Sequence, residues 1–338
     1  MKKYFIISIT ILIFLILMTT IVMANEKGLV YYLCPNQFDE MQTAASAMVR
    51  SSLEDAGYTC KVMTAGNEDV NLQMNQVENA ITQNPKAIIV AAVDGTAICA
   101  GVSSAHDAGI PVIAYDRTIS KCGVEFTSIA GCKTMGFMAA QETVKLLKEK
   151  YGEVKGTVLD IMGDPGDSYT TMIEEGFQET MKGYPNVEIQ TKIAYGWEAV
   201  TAANIADDYL LVHPDTDLIF AHADHMAAAI VSILQTKGYA KGDIFLIGTA
   251  GMPMGLQLIR EGWMDATIEY SPKALAEGIT MFLDDILNKN EIKLGSYKIM
   301  GIPAELTEQA YGLELKVAGS VIDAENVDNP EFWGNQVK

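Results

Sequence analysis

The run Ala87-Ile88-Ile89-Val90-Ala91, continued through Thr96 to Ala108 and into Gly109-Ile110-Pro111-Val112-Ile113-Ala114-Tyr115, decides the fold class. Its first piece is apolar at every position, as a strand buried on both faces of a parallel sheet requires. The middle piece reads as a helix, and Gly109 can take the left-handed conformation that ends it. A second short apolar strand follows from Pro111 to Tyr115. Strand, helix and strand in this order make a βαβ unit.

The alternation extends in both directions. Upstream, Leu29 to Leu33 reads as the first strand, Asp39 to Ala56 as a helix stopped at Gly57, and Thr59 to Thr64 as the second strand. A helix from about Asp69 to Gln83 then leads into Asn84-Pro85. Downstream the pattern restarts, with strands at Thr157 to Ile161, Val187 to Ile193, Leu218 to Ala221, Ile244 to Ile247 and Ala266 to Glu269. The helices between them are Ser168 to Lys182, Ala199 to Leu211, Met226 to Thr236 and Met254 to Glu261. Two similar rounds in tandem predict an α/β protein of two similar lobes, each with a parallel sheet.

Composition narrows the function. The 338 residues are 49% hydrophobic and 20% charged, which excludes disorder as the main reading. Asp and Glu number 43 against 24 Lys and Arg, for a formal net charge of −19, which repels phosphate backbones and argues against nucleic acid. Lys2-Lys3 and the apolar run from Tyr4 to Met23 have the order of an export signal, and Val22-Met23-Ala24 offers small residues for cleavage after Ala24. The alternative is an uncleaved anchor; either way the remainder is expected to work outside the cytoplasm. Cys34 lies too far downstream for a lipoprotein signal. Losing Lys2 and Lys3 with the signal leaves 22 basic residues against 43 acidic ones.

In open parallel sheets ligands sit beyond the carboxyl ends of the strands. Asp116-Arg117 follows one such strand and suits vicinal hydroxyls, since a carboxylate accepts and a guanidinium fork donates several directed bonds. A surface ion pair is the plainer alternative. Phe38, Tyr169 and Trp197 could stack on the apolar face of a ring or serve as core. His222, Asp224 and His225 resemble a metal cluster, but the simpler reading makes Asp224 a helix N-cap with His222 facing the cleft. Gly163 to Ser168 is acidic and lacks the lysine of a phosphate loop. Without a G-x-S-x-G elbow, a G-x-G-x-x-G turn or an H-E-x-x-H helix, no catalytic residue, cofactor or metal is expected.

The post-strand segments, in register behind an export signal, resemble the ribose- and galactose-type periplasmic solute-binding proteins of sugar ABC transporters, the type I periplasmic binding proteins. The resemblance covers roughly Leu29 to Lys289. It rests on Ala108 to Ile113 running into Tyr115-Asp116-Arg117, on Glu175-Gly176-Phe177, on His213-Pro214-Asp215 running into Phe220 to Asp224, and on Gly262 to Ile268. It implies two three-layer lobes joined by a three-segment hinge, with crossovers near Ile129 to Gly131, Glu269 to Ser271 and Gly301 to Glu305. The first lobe would then comprise residues 25–130 and 271–302, the second 131–270 and 303–338. The resemblance implies ligand contacts from Asn36, Phe38, Asp39, Asp116, Arg117 and Trp197; Tyr169, His222 and Tyr270, at the other post-strand segments, complete the expected ligand-binding set. The implied partners are a sugar or polyol and a membrane permease, the protein itself being a monomer.

Departures from the ribose pattern bear on the ligand. Ile173, Ala223, Ala250 and Tyr270 stand where ribose binders carry hydrogen-bonding groups, so the resemblance implies a different sugar, a polyol or a less hydroxylated relative. The longer ending, Val327 to Asn335, is similar to tails of binders of other sugars and of receptors for the furanose-like signal autoinducer-2. The first-lobe lysine of those receptors is not visible here.

Five cysteines in an exported chain invite a bridge. Cys99 opens the helix after the third strand and Cys122 follows the fourth, so neighbouring strands would bring both to one edge of the first lobe. The expectation is a Cys99–Cys122 disulfide, with Cys34, Cys60 and Cys132 buried and reduced. All five serving as small core residues is the alternative.

Overall fold

The computed structural model describes residues 27–37, 40–66, 69–165 and 168–337. The expected export signal therefore lies outside the described residues. Among those described, no helix is long and apolar enough to cross a membrane.

The first round of the chain lays down β1 (Leu29–Cys34), α1 (Glu40–Asp55), β2 (Thr59–Thr64), α2 (Val70–Ile81), β3 (Ala87–Val90), α3 (Cys99–Asp107), β4 (Val112–Tyr115) and β5 (Phe126–Ala130). The second lays down α4 (Cys132–Tyr151), β6 (Gly156–Met162), α5 (Ser168–Met181), β7 (Val187–Ile193), α6 (Ala199–Val212), β8 (Leu218–Ala221), α7 (Asp224–Lys237), β9 (Phe245–Ala250), α8 (Pro253–Glu261) and β10 (Ala266–Glu269). Then come α9 (Pro272–Asn288), β11 (Gly295–Ile299), β12 (Ile302–Gln309), β13 (Gly312–Val317) and β14 (Val321–Asp323). Eight strands form one sheet in the order β11-β12-β13-β5-β4-β3-β1-β2, and six form the other in the order β14-β10-β9-β8-β6-β7. The pairing from β13 through β5, β4, β3 and β1 to β2 is parallel.

Why these runs are continuously apolar is visible in the core. Val30 and Tyr32 of β1 and Ile89 of β3 enter one cluster with α1 and α9, while Tyr31, Leu33, Ile88 and Val90 enter another with α2 and α3. Each face of the sheet is covered by helices, so neither face can be polar. In the second lobe α4 and α5 cover one face and α6, α7 and α8 the other. Gly136 and Gly176 set the approach of α4 to α5. A Cβ at Gly136 would stand 1.9 Å from the Ile173 carbonyl oxygen, and one at Gly176 would stand 2.0 Å from that of Lys133. The backbones touch where Glu175-Gly176-Phe177 stands, and Phe177 is fully buried beside them.

The chain crosses between lobes after β5, after β10 and after β13. The third crossing corrects the expected one near Gly301 to Glu305, and with it the assignment of all of 303–338 to the second lobe. Met300 and Gly301, both with positive φ, form the turn between antiparallel β11 and β12. Ile302, Ala304 and Leu306 alternate inward along β12, and β13 then pairs with β5. Residues 302–317 thus belong to the first sheet. Only β14 and the tail behind it return to the second lobe, β14 pairing antiparallel with β10.

At the edge of the first lobe, Cys99 at the start of α3 is bridged to Cys122 in the loop after β4, with their Cα atoms 5.7 Å apart. Cys34, Cys60 and Cys132 are buried and unbridged.

Candidate functional site

Asp116 leaves β4 in the left-handed region, with φ +65°, a conformation Asp tolerates better than most residues. That turn carries its carboxylate to the junction of the lobes. There Oδ1 accepts the hydroxyl hydrogen of Tyr270, the residue that follows β10, and Oδ2 accepts from Nε2 of Gln42 on α1 at 3.1 Å. The Arg117 Nε stands 4.0 Å from the same Oδ2, and its Nη1 donates to the Ala92 carbonyl at 3.4 Å. Burial, then the Asp116 carboxylate, pushes the Tyr270 phenol well above its ordinary range, so it stays a donor. Asn36 is buried just past the end of β1.

The facing wall is aromatic. Tyr169, at the start of α5, has its ring centroid 6.2 Å from Tyr270 and 5.9 Å from Trp197. Its hydroxyl donates to Thr249 Oγ1 at 3.1 Å, and Thr249 donates in turn to the His222 carbonyl. Trp197 sits in a one-turn helix at φ +59°, following Gly196 at φ +66°. His225 Nε2 meets the Trp197 carbonyl at 2.9 Å, and Asp164 accepts from the Gly196 amide at 3.0 Å. Gly163 leaves the room the indole occupies, since a Cβ there would lie 2.3 Å from the ring. Both Tyr169 and Trp197 remain partly exposed.

Asp116, Arg117, Tyr169, Trp197 and Tyr270 therefore come together, and Asn36 lies at the same end of the first sheet. Phe38 and Asp39 lie outside the described residues. His222 is a correction. Its side chain is fully buried under the second sheet's end, facing Asp160 and Glu174 rather than the cleft, because Thr170 Oγ1 holds its Nδ1 at 2.7 Å. Asp224 is not a helix cap either; Ala223 holds that position without a side-chain cap bond. Asp224 instead accepts from the Met252 amide and the Thr267 hydroxyl, each at 2.7 Å, in space left by Gly248 and Gly255. Ile173 is fully buried in the core, so its replacement of a polar group is not a change in the cleft surface.

Two participants were not singled out from sequence. Gln42 is buried on α1 and holds Asp116, a role that a lone glutamine among helix alanines does not advertise. Trp333, in the tail, is fully buried against Ala44 and Met48 of α1 and donates Nε1–H to the Ala250 carbonyl at 2.7 Å. One side chain thus touches both lobes. Its backbone amide donates to Glu269 Oε1 at 3.4 Å, and burial pushes the Glu269 carboxyl up to about 7. A tail tryptophan behind an otherwise polar stretch was the available signal.

Residues 30–291 match the family model described as periplasmic binding protein domain. The ribose import binding protein of Bacillus subtilis is 27% identical over 249 residues, which cover 73% of this chain and 77% of that protein. The D-apiose import binding protein of Paraburkholderia graminis is 26% identical over 254 residues, covering 75% and 78% respectively. Among solved structures, the periplasmic ribose ABC transporter protein from Conexibacter woesei superposes with a TM-score of 0.74 at 19% identity, covering 89% of this chain and 93% of that one.

Proposed function

The chain belongs to the periplasmic binding protein family, and we propose that it is the extracytoplasmic substrate-binding component of an ABC importer, taking a sugar or a sugar-like polyol into the cleft between its lobes. One observation carries the reading. A carboxylate held by Gln42 and Tyr270, with a guanidinium beside it, faces a wall of Tyr169 and Trp197. Directed acceptors and donors on one side and ring faces on the other match a molecule with hydroxyls at its edge and C–H bonds on its faces. The names of the relatives point the same way, since they are import binding proteins for ribose and apiose.

In this reading the protein does no chemistry on its ligand. Ligand enters between the lobes, both contribute contacts, and rotation about the three crossings buries it. A permease then takes the ligand from the closed form. Export by the segment ending at Ala24 and action as a monomer belong to the same proposal. A thermal-shift panel of pentoses, hexoses, polyols and autoinducer-2 tests it, because a ligand that binds only the folded state raises the melting temperature by mass action. A dose-dependent rise with a sugar or polyol, plus loss of that sugar's uptake on deletion of the protein, is expected. A flat panel, or a response to autoinducer-2 alone, overturns the proposal.

A further inference from the structure

A second polar cluster lies beneath the aromatic wall, on the face of the second sheet that α4 and α5 cover. Asp160 comes from the middle of β6, Glu174 from the second turn of α5, and His222 from the end of β8. One ligand-type atom from each lies within 4.8 Å of the other two. His222 Nε2 is 3.1 Å from Asp160 Oδ1 and 3.9 Å from Glu174 Oε2. Asp160 and His222 are fully buried, and the Glu174 side chain is 18% exposed.

What sets this cluster apart is that its atoms go unsatisfied. With both carboxyls ionised, both Asp160 carboxylate oxygens, Glu174 Oε2 and His222 Nε2 are buried without a hydrogen-bond partner, and only a proton shared between Asp160 and Glu174 would pair them within the protein. The Thr191 hydroxyl donates to Glu174 Oε1 at 3.3 Å. Nε2 is close to Asp160, yet the two form no hydrogen bond. Unpaired buried polar atoms are rare in native interiors and call for an occupant.

We infer that Asp160, Glu174 and His222 form a binding site for one divalent transition-metal ion of the zinc type. The donor set is one imidazole nitrogen and two carboxylates, which neutralise the ion's charge and leave one position for water. Metal–ligand distances of about 2.0–2.2 Å put neighbouring ligand atoms roughly 3–4 Å apart, which matches the two measured separations. The supporting contact is in place too. Thr170 Oγ1, 2.7 Å from His222 Nδ1, can accept the hydrogen bond of an Nδ1–H, and that tautomer leaves the Nε2 lone pair for the metal. Glu174, partly exposed and bonded to Thr191, is the member of the trio nearest solvent. The imidazole and the burial favour zinc, cobalt or manganese over calcium. A bound ion would tie α5, β6 and the end of β8 together directly under Tyr169, independently of what the cleft binds.

The test uses tag-free protein stripped with a chelator. Calorimetry with zinc chloride and visible absorption with cobalt chloride should both report one equivalent bound, the cobalt spectrum showing a ligand-field band and zinc displacing it. Saturating zinc should raise the melting temperature by a few degrees. Glu174→Gln, at the partly exposed member, should fold and bind zinc at least ten-fold more weakly; Asp160→Asn should do the same. Absence of a stoichiometric site in the wild type overturns the inference and leaves the trio as a proton-sharing cluster. Unchanged affinity in folded Glu174→Gln and Asp160→Asn overturns it as well, by placing the metal elsewhere.

Discussion

Replacing Asp116 separates its two roles. In Asp116→Ala, the Tyr270 hydroxyl and the Gln42 amide lose their acceptor while both residues stay buried, at 5% and 3% exposure. Leaving a buried donor unsatisfied costs about 1–3 kcal/mol. Alanine also tolerates φ +65° less well than aspartate, at about 1 kcal/mol. The folded protein should therefore lose roughly 3–7 kcal/mol, and the ligand's hydroxyls lose an ionised acceptor besides. Asp116→Asn keeps the shape, the left-handed backbone and a carbonyl for Tyr270, and its NH2 can donate to the oxygen of a turned Gln42 amide, so its stability should drop by no more than about 1 kcal/mol. Its affinity should still fall, because a charge-assisted bond becomes a neutral one, worth about 1 kcal/mol or roughly five-fold. Calorimetry with the sugar found in the screen should give about a five-fold loss for Asn and 10- to 100-fold for Ala. Chemical denaturation of the unliganded variants supplies the stability arm. Unchanged affinity in both variants would refute the reasoning by showing that the ligand does not meet this carboxylate, and equal stability loss in both would show that Tyr270 and Gln42 do not depend on it.

Glu269, held up at about 7 against 4.5 for a free glutamate, is protonated more readily folded than unfolded, so its contribution to stability is present at low pH and fades as pH rises through about 7. The swing is about 3 kcal/mol at most; Glu269→Gln should flatten the stability–pH curve between pH 5 and 8, and parallel curves would sink the idea. Asp224, also raised to about 7, contributes in the same direction in both proteins, so only the difference between them counts. Gly136→Ala should lower the free energy of unfolding by about 1–3 kcal/mol, because a methyl 1.9 Å from the Ile173 carbonyl forces α4 off α5; a neutral effect would mean the crossing is looser than described. Non-reducing peptide mapping should recover a Cys99–Cys122 cross-link, and reduction should destabilise the first lobe by about 3 kcal/mol; any other pairing contradicts the edge described for α3 and β4.

What could be read from the chain and what could not divides along one physical line. Ala87 to Val90 and Leu218 to Ala221 announce themselves because both faces of a parallel sheet are dry, and burial of that kind is written in composition. The meander at residues 295–317 was missed because it is half exposed: Ile302, Ala304 and Leu306 alternate with polar residues, and Gly301 looks the same whether it turns a hairpin or crosses a hinge. The site divides the same way. Asp116, Trp197 and Tyr270 stand directly after strands, where topology alone delivers a residue to the cleft. Gln42 and Trp333 reach it from a helix face and from a tail, and which side of a helix meets the other lobe is decided by tertiary packing. The case of His222 is sharper still. Sequence grouped it with Asp224 and His225, its neighbours in the chain, yet residues on either side of a strand-to-helix bend point in different directions. Its neighbours in space come from 62 and 48 positions upstream, at Asp160 and Glu174. Chemistry assembled across a parallel sheet is set by register between strands, and in this lobe the Ile161↔Ala221 pairing of β6 with β8 is what brings the histidine over the aspartate.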